Sequence, residues 1–176
     1  MKKYLYNLNS CNEGFLSFNK VVYRELKTSG LLEREYQQII YETRTALNQI
    51  IEENNIDLVV IPQSSNKILR DILVGVDYIV LKKTNPELMK KKVQLLDIQK
   101  SQKQSLLKSL DANEIKISSF KGKQRDIIKD FLFEKVDAEK DNVLIFDDSS
   151  FSSSTLTALN NSVNAKSKLS FTIFGF

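Results

Sequence analysis

Two adjacent carboxylates and a run of hydroxyl side chains meet at one point of the chain. Asp147 and Asp148 follow the apolar sequence NVLIF, and the sequence SSFSSST continues to Thr155. Hydroxyl groups and the unpaired amides at the start of a helix can donate hydrogen bonds to a phosphate. Carboxylates repel a bare phosphate, so the two aspartates suit sugar hydroxyls or a Mg²⁺ ion that arrives with the phosphates. Residues of these types at this spacing fit a sugar phosphate.

Helix capping is the other interpretation of the same residues. Ser152 or Ser153 would then cap the following helix, and Asp148 would interact favourably with the helix dipole, because serine and aspartate are common at helix starts. The adjacent acid pair favours the ligand interpretation. We therefore expect phosphate contacts from the hydroxyl groups and amides of Ser150, Ser152, Ser153, Ser154 and Thr155.

The composition excludes several kinds of catalytic and metal site. The 176 residues contain no histidine and one cysteine, Cys11, so a disulfide, a Cys/His zinc site, a Ser-His-Asp triad and a Cys-His pair are all excluded. Hydrophobic residues make up 41% of the chain, which suits one domain with a buried core. No apolar run reaches the roughly 18 residues of a membrane span, and no signal peptide is recognisable. We expect a soluble, cytoplasmic protein.

Hydrophobic periodicity predicts the elements that must position the polar residues. Segments 32–54, 66–74 and 153–163 are predicted helices, and 86–110 is predicted to be helical or partly helical. A short strand or extended entry is predicted at 2–8, and strands are predicted to end at Pro62 and to span 76–83, 142–148 and 168–176. The strands after the first are apolar rather than alternating, which is typical of a sheet buried on both faces. The sequence therefore predicts an α/β fold with a mostly parallel central sheet and helices on both faces, in a single domain over residues 1–176.

The clearest of these patterns is the apolar stripe of the segment 32–54. Residues at helical spacing form one face, and charged residues lie opposite it. This face comprises Tyr36, Ile39, Ile40, Thr43, Leu47, Ile50 and Ile51. In sheets of the predicted kind, ligands bind beyond the carboxyl ends of the strands, which is where the sequence following NVLIF is expected to lie.

The sequence NVLIFDDSSFSSSTLTAL resembles the signature of type I phosphoribosyltransferases, an apolar strand followed by two acids and a hydroxyl- and glycine-containing loop. Asp147 and Asp148 take the positions of the acid pair, and Ser152 and Thr155 those of two threonines. The resemblance implies that the acids bind the ribose hydroxyls of phosphoribosyl pyrophosphate and that the loop binds its 5′-phosphate. It also implies the fold of that family and Mg²⁺ as the cofactor of a functional site. Ser153 stands where the family has a glycine.

Within this superfamily, the order of parts is most similar to the ComF group of competence-associated proteins. An N-terminal helical region, the turn IPQSSNKILR and a stretch rich in Gln, Leu and Lys precede the signature. The resemblance implies a role in DNA uptake and natural transformation, with a sugar phosphate, single-stranded DNA or competence proteins as partners. An active phosphoribosyltransferase that acts on a nucleobase or a related acceptor is the alternative. The group's four-cysteine zinc module is not expected here.

The turn PQSSNKILR corresponds to the pyrophosphate-binding turn that the resemblance implies. Ser64, Ser65 and backbone amides could contact one phosphate, and Lys67 or Arg70 another. As an alternative, this is a polar turn in which Ser65 caps a helix and both cations lie in solvent. The expected pyrophosphate-binding residues are Gln63, Ser64, Ser65, Lys67 and Arg70.

Positive charge is concentrated in one segment of the chain. Between Lys82 and Lys108, eight lysines stand against two acids, a net +6 in a chain whose net charge is +4. Such a segment could follow a nucleic-acid backbone, or its lysines could be solvated on an exposed helix. No aromatic residue lies among them, so stacking on single-stranded bases is not predicted. The candidate nucleic-acid-binding residues are Lys82, Lys83, Lys90, Lys91, Lys92, Lys100 and Lys103.

Overall fold

A five-stranded parallel sheet forms the centre of the protein. The structure, a computed structural model, describes residues 2–7, 33–63, 67–111, 115, 117, 120, 122–149 and 154–175. The sheet strands are β1 (Lys2–Asn7), β2 (Leu58–Pro62), β3 (Tyr78–Leu81), β5 (Asn142–Ser149) and β7 (Ser167–Gly175), in the spatial order β3-β2-β5-β7-β1. All four neighbouring pairs are parallel. The expected mostly parallel sheet is confirmed, and the NVLIF segment lies in β5, its middle strand.

Six helices and a second, small pair of strands complete the described part of the chain. The helices are α1 (Glu33–Glu53), α2 (Ile68–Ile72), α3 (Pro86–Leu95), α4 (Lys100–Leu110), α5 (Lys123–Ile128) and α6 (Ser154–Ser162). Strands β4 (Val136–Asp137) and β6 (Val163–Asn164) pair in parallel outside the main sheet. None of the helices in this described part is long and apolar enough to cross a membrane.

The lysine-rich segment 86–110, predicted as helical or partly helical, forms two helices. Asn85 starts α3 by accepting a hydrogen bond from the N–H of Glu87 at 2.8 Å, and Pro86 occupies the first helical turn, where its missing N–H carries no cost. Leu96 has an extended backbone with ψ of 139°, which ends α3. The second helix begins after Gln99, whose backbone is also extended.

Both faces of the sheet are covered by helices, because alternate residues of a strand point to opposite faces. Along β5, Val143 and Ile145 belong to an apolar cluster with α3, α4, α5 and α6. Leu144 and Phe146 belong to a second cluster with α1 and α2. The predicted stripe of α1 supplies this second cluster, with Ile39, Ile40, Thr43, Leu47 and Ile50 all buried.

Candidate functional site at the carboxyl ends of β2 and β5

The order of the strands makes the chain connections diverge between β2 and β5. The chain leaves β2 towards β3 on one side, whereas it leaves β5 towards β7 on the other side. Neighbouring strands whose connections diverge in this way leave a gap at their carboxyl ends, which is the usual ligand position in open parallel sheets. The two polar sequences that follow Pro62 and Phe146 therefore begin at the same place in the fold.

The pairing of β2 with β5 shows how closely these two strand ends correspond. Val59 is the register partner of Leu144, and Val60 is the partner of Ile145. The pairing ends there, and Gln63 and Asp148 each follow three residues beyond this last pair. The polar turn after β2 and the acid pair of β5 are thus at the carboxyl ends of neighbouring strands.

The two aspartates occupy different environments. Asp147 is 6% exposed, and its register partner on β7 is the buried Thr172. Oδ1 of Asp147 accepts a hydrogen bond from the backbone N–H of Asp148 at 2.8 Å. Asp148 is half-buried and points to the opposite face, as adjacent strand residues do. Of the two expected ribose ligands, Asp148 is the more accessible.

Gln63 is held by the neighbouring strand. Its backbone N–H donates to the carbonyl oxygen of Leu81 at 2.8 Å, and its side-chain Oε1 accepts from the N–H of Lys83 at 3.2 Å. These hydrogen bonds hold the residues at the carboxyl end of β3 against the residue that follows β2. Ser64 and Ser65, the next expected phosphate contacts, lie outside the described residues.

The helix after this turn is the short helix α2. Its N-cap is Lys67, which makes no side-chain cap hydrogen bond, and its first residue is Ile68. Ser65, the N-cap of the alternative interpretation, lies outside the described residues. Lys67 and Arg70 are both exposed at this short helix, so the structure places two cations beside the β2 exit.

Helix α1 fixes the position of α2 from outside the sheet. The hydroxyl of Tyr36 donates to a carboxylate oxygen of Asp71. Nε of Arg44 donates to the carbonyl oxygen of Ile72 at 3.2 Å, and Nη2 donates to that of Asp71 at 2.6 Å. A guanidinium at the last carbonyls of a helix satisfies groups that have no partner within the helix.

Tyr36 also contacts a candidate ligand residue. Nζ of Lys67 lies 5.9 Å from the centre of the Tyr36 ring, within the range of a cation–π interaction. Sequence reasoning assigned Tyr36 only to the apolar stripe of α1 and missed Arg44. No local signal could have identified these contacts, since Asp71 lies 35 residues beyond Tyr36.

On the β5 side, the helix that follows the acid pair is α6. It begins at Ser154, and Ser154 and Thr155 are half-buried in its first turn. Leu156, Ala158 and Leu159 anchor α6 in the core. Ser150, Ser152 and Ser153 lie outside the described residues, so the structure locates two of the five expected phosphate contacts.

The candidate nucleic-acid-binding lysines have several different environments. Nζ of Lys90 lies 2.8 Å from a carboxylate oxygen of Asp111 and 2.8 Å from one of Glu87. The hydrogen bond from Lys90 to Asp111, and to a smaller extent the one to Glu87, raises the pKa of Lys90 above its ordinary value. Lys92 lies 5.9 Å from the Phe131 ring centre, and Lys103 donates to the Gln94 carbonyl at 2.9 Å.

The remaining lysines of the set lie nearer to solvent. Lys82, Lys91 and Lys100 are exposed, whereas Lys83 is half-buried and its backbone bridges to Phe133. Three of the seven candidate lysines are thus engaged by side-chain contacts within the protein. The segment does not present all seven ammonium groups as one row.

Comparison with known proteins found no match among family models, curated proteins or solved structures. The resemblance to type I phosphoribosyltransferases therefore rests on the sequence motif. The geometry shows a parallel α/β sheet whose two polar strand exits adjoin.

Proposed function

We propose that the protein binds a sugar phosphate of the phosphoribosyl pyrophosphate type at the carboxyl ends of β2 and β5. The observation that carries this proposal is the adjacency of the two polar strand exits at the point where the connections diverge. One exit supplies carboxylates and a helix N-terminus, and the other supplies cations. A ligand with a sugar between two phosphate groups needs both kinds of partner.

Each part of the site has a distinct role in this proposal. Asp148 accepts hydrogen bonds from the ribose hydroxyls, while Asp147 holds the backbone N–H of Asp148 in place. The N-terminus of α6, with Ser154 and Thr155, receives the 5′-phosphate, since unpaired amides and the positive end of the helix dipole favour an anion. Lys67 and Arg70 face the pyrophosphate.

Mg²⁺ fits this set of donors as an ion that the ligand carries. Carboxylate and phosphate oxygens are the ligands that Mg²⁺ prefers, and it usually combines one or two carboxylates with substrate phosphates. Within the described part of the chain, no cluster of three or more side chains could hold a metal ion by itself. If the ligand carries Mg²⁺, the carboxylate of Asp148 would be the protein group that holds the ion beside the phosphates.

Phosphoribosyl transfer is the activity that the resemblance implies for such a site. An acceptor nucleophile forms a bond to the anomeric sugar carbon while the bond from that carbon to pyrophosphate breaks through an oxocarbenium-like transition state, and pyrophosphate leaves with the electron pair. The protein must therefore hold both parts of the ligand and stabilise the charge of the leaving pyrophosphate. Cations at Lys67 and Arg70 suit that task, and no histidine is needed. A role in DNA uptake is likewise an implication of the resemblance.

Isothermal titration calorimetry with phosphoribosyl pyrophosphate and Mg²⁺ tests the binding proposal. We expect the wild-type protein to bind and Asp148→Asn to bind at least about tenfold more weakly, because a hydrogen bond to a charged group contributes roughly 1.5 to 3 kcal/mol. Asp141→Asn is the matched control. Asp141 lies at the amino end of β5 and pairs with the exposed Lys166 at 2.8 Å.

Titrations with the separate halves of the ligand locate the two subsites. The Asp148→Asn protein should bind ribose 5-phosphate more weakly than the wild type does. The Lys67→Gln protein should bind pyrophosphate more weakly. If the wild-type protein gives no heat with the complete ligand, or if Asp141→Asn weakens binding as much as Asp148→Asn, the proposed site is wrong.

A further inference from the structure

The outer side of α3 carries two solvent-exposed leucines. Leu88 is 46% exposed and Leu95 is 87% exposed. They are seven residues apart, which places them on one side of the helix about two turns from each other. Met89 and Val93 are fully buried on the side that faces the sheet. These leucines are therefore additional to the residues with which α3 packs against the core.

Lysines surround the two leucines. Lys91 lies between them in sequence and is exposed, and Lys92 beside it is half-buried. Lys103 of α4 reaches the end of α3, where its Nζ lies 2.9 Å from the carbonyl oxygen of Gln94. We call the surface formed by Leu88, Leu95, Lys91, Lys92, Lys100 and Lys103 the α3 outer face.

Two of the acidic residues of this region pair with a lysine outside the α3 outer face. Glu87 and Asp111 both pair with Lys90, a lysine that is not part of the α3 outer face. Asp97, in the connection between the helices, is the remaining acid between Lys82 and Lys108. The leucines thus lie among positively charged side chains. A partner surface that complements them is negatively charged and has an apolar interior.

The size and shape of this surface distinguish between possible partners. A ten-residue helix is roughly 15 Å long and about 10 Å wide, so its outer side offers roughly 150 Å², far below the about 800 Å² per partner of a stable protein interface. Nucleic-acid phosphates would engage the lysines and leave the leucines in water. A lipid bilayer needs no shape-complementary groove, and it accepts leucines below a layer of phosphate groups.

We propose that the α3 outer face binds an anionic lipid surface, with Leu88 and Leu95 inserted among the acyl chains and the exposed Lys91 and Lys100 at the headgroup phosphates. Attachment of this kind is peripheral and reversible, because it combines a small apolar insertion with charge attraction that salt screens. The proposal is independent of the sugar-phosphate site, which involves the exits of β2 and β5.

Vesicle co-sedimentation of the full chain tests this proposal. We expect binding to phosphatidylcholine vesicles that contain roughly 30% phosphatidylserine, little binding to phosphatidylcholine alone, and a decrease in binding as salt rises. Leu88→Ser/Leu95→Ser and, separately, Lys91→Glu/Lys100→Glu should each reduce the partition coefficient at least about tenfold. Circular dichroism checks that each variant keeps its fold.

Matched control variants remove similar groups elsewhere on the surface. Tyr41→Ser/Val74→Ser replaces two residues that are 73% and 70% exposed outside the α3 outer face. Lys135→Glu/Lys140→Glu reverses two exposed charges. Both controls should bind as the wild-type protein does.

Three results would overturn the proposal. The first is a wild-type protein that does not sediment with anionic vesicles, and the second is binding that the control variants weaken as strongly as the leucine variant. The third is single-stranded DNA binding that depends on Lys91 and Lys100 while vesicle binding is undetectable, since the surface would then be a nucleic-acid interface.

Discussion

Asp147 and Asp148 are adjacent in sequence and differ in what surrounds them. Asp147 is buried and accepts the N–H of Asp148, whereas Asp148 is half-buried on the other face of β5. The sequence identified the pair as a candidate site, but it could not assign separate roles. Which of two neighbouring strand residues is buried depends on what covers each face beyond the end of the strand, and distant segments supply that cover.

The role of Asp147 as an acceptor leads to a stability prediction. We expect Asp147→Ala to lower the free energy of unfolding by about 1 to 3 kcal/mol, because it removes the acceptor of the Asp148 N–H in a part of the protein that water reaches poorly. Asp147→Asn keeps an oxygen in the same position and should cost less. Urea denaturation at neutral pH measures both values, and equal losses for the two variants would contradict this role.

Thr43 is a polar residue within the apolar face of α1. Periodicity correctly placed it in the buried stripe, and its side chain is inaccessible to solvent. Its hydroxyl oxygen has no hydrogen-bond partner among the residues that the structure describes. Sequence could not reveal this, since a helical threonine usually bonds to a carbonyl oxygen one turn earlier.

Thr43→Val should therefore stabilise the protein. Valine has nearly the same shape and a similar helix propensity, and it removes the cost of burying an unpaired hydroxyl. We expect the free energy of unfolding to rise by about 1 kcal/mol. Thr45→Val is the control, because the exposed Thr45 hydroxyl donates to the Tyr41 carbonyl at 3.0 Å. Urea midpoints compare the two variants, and a loss of stability in Thr43→Val would show that the hydroxyl has a partner.

At the scale of elements, the helices and strands with a clear hydrophobic periodicity were predicted well, whereas the position of the break between α3 and α4 was not. The prediction of 32–54 as a helix is confirmed by Glu33–Glu53, and that of 142–148 as a strand by Asn142–Ser149. The position of the break at 96–99 within this helical or partly helical segment was not predicted, because LDIQ contains neither glycine nor proline and its apolar residues continue a helical spacing. Leu96 and Ile98 pack against the core with an irregular backbone, so tertiary contacts determine where α3 ends.

The attachment of α2 to α1 depends on Arg44. Arg44→Met keeps the apolar stem and removes two hydrogen bonds to the last carbonyls of α2. We expect a loss of about 1 to 2 kcal/mol of stability and faster hydrogen exchange at the Leu73 amide, which donates to Leu69 at 3.1 Å. Arg70→Met, a change of an exposed arginine on α2 itself, is the control. Unchanged exchange in Arg44→Met would show that α2 is held by its apolar side alone.

At the scale of the molecule, the two faces of the sheet were predictable and the order of its strands was not. The apolar character of the strands indicated burial on both sides, and two separate clusters confirm it. By contrast, β1 lies at an edge and pairs with β7, so that Lys2 is the register partner of Ser170. No local pattern encodes a pairing across nearly the whole chain, and the order of the strands sets the point beside β5 where the connections diverge.

The two clusters lead to a prediction about additivity. Ile72 lies in the cluster with α1 and α2, Ile128 lies in the cluster on the other face, and both are fully buried. Each Ile→Val change should cost about 0.5 to 1.5 kcal/mol. Because the sheet separates the sites, the double variant should lose the sum of the single losses within about 0.5 kcal/mol. Urea denaturation of the four proteins measures this, with equal m-values as the check for two-state unfolding. A larger deviation would mean that the faces respond as one packed unit, because β5 contributes to both clusters and could transmit strain between them.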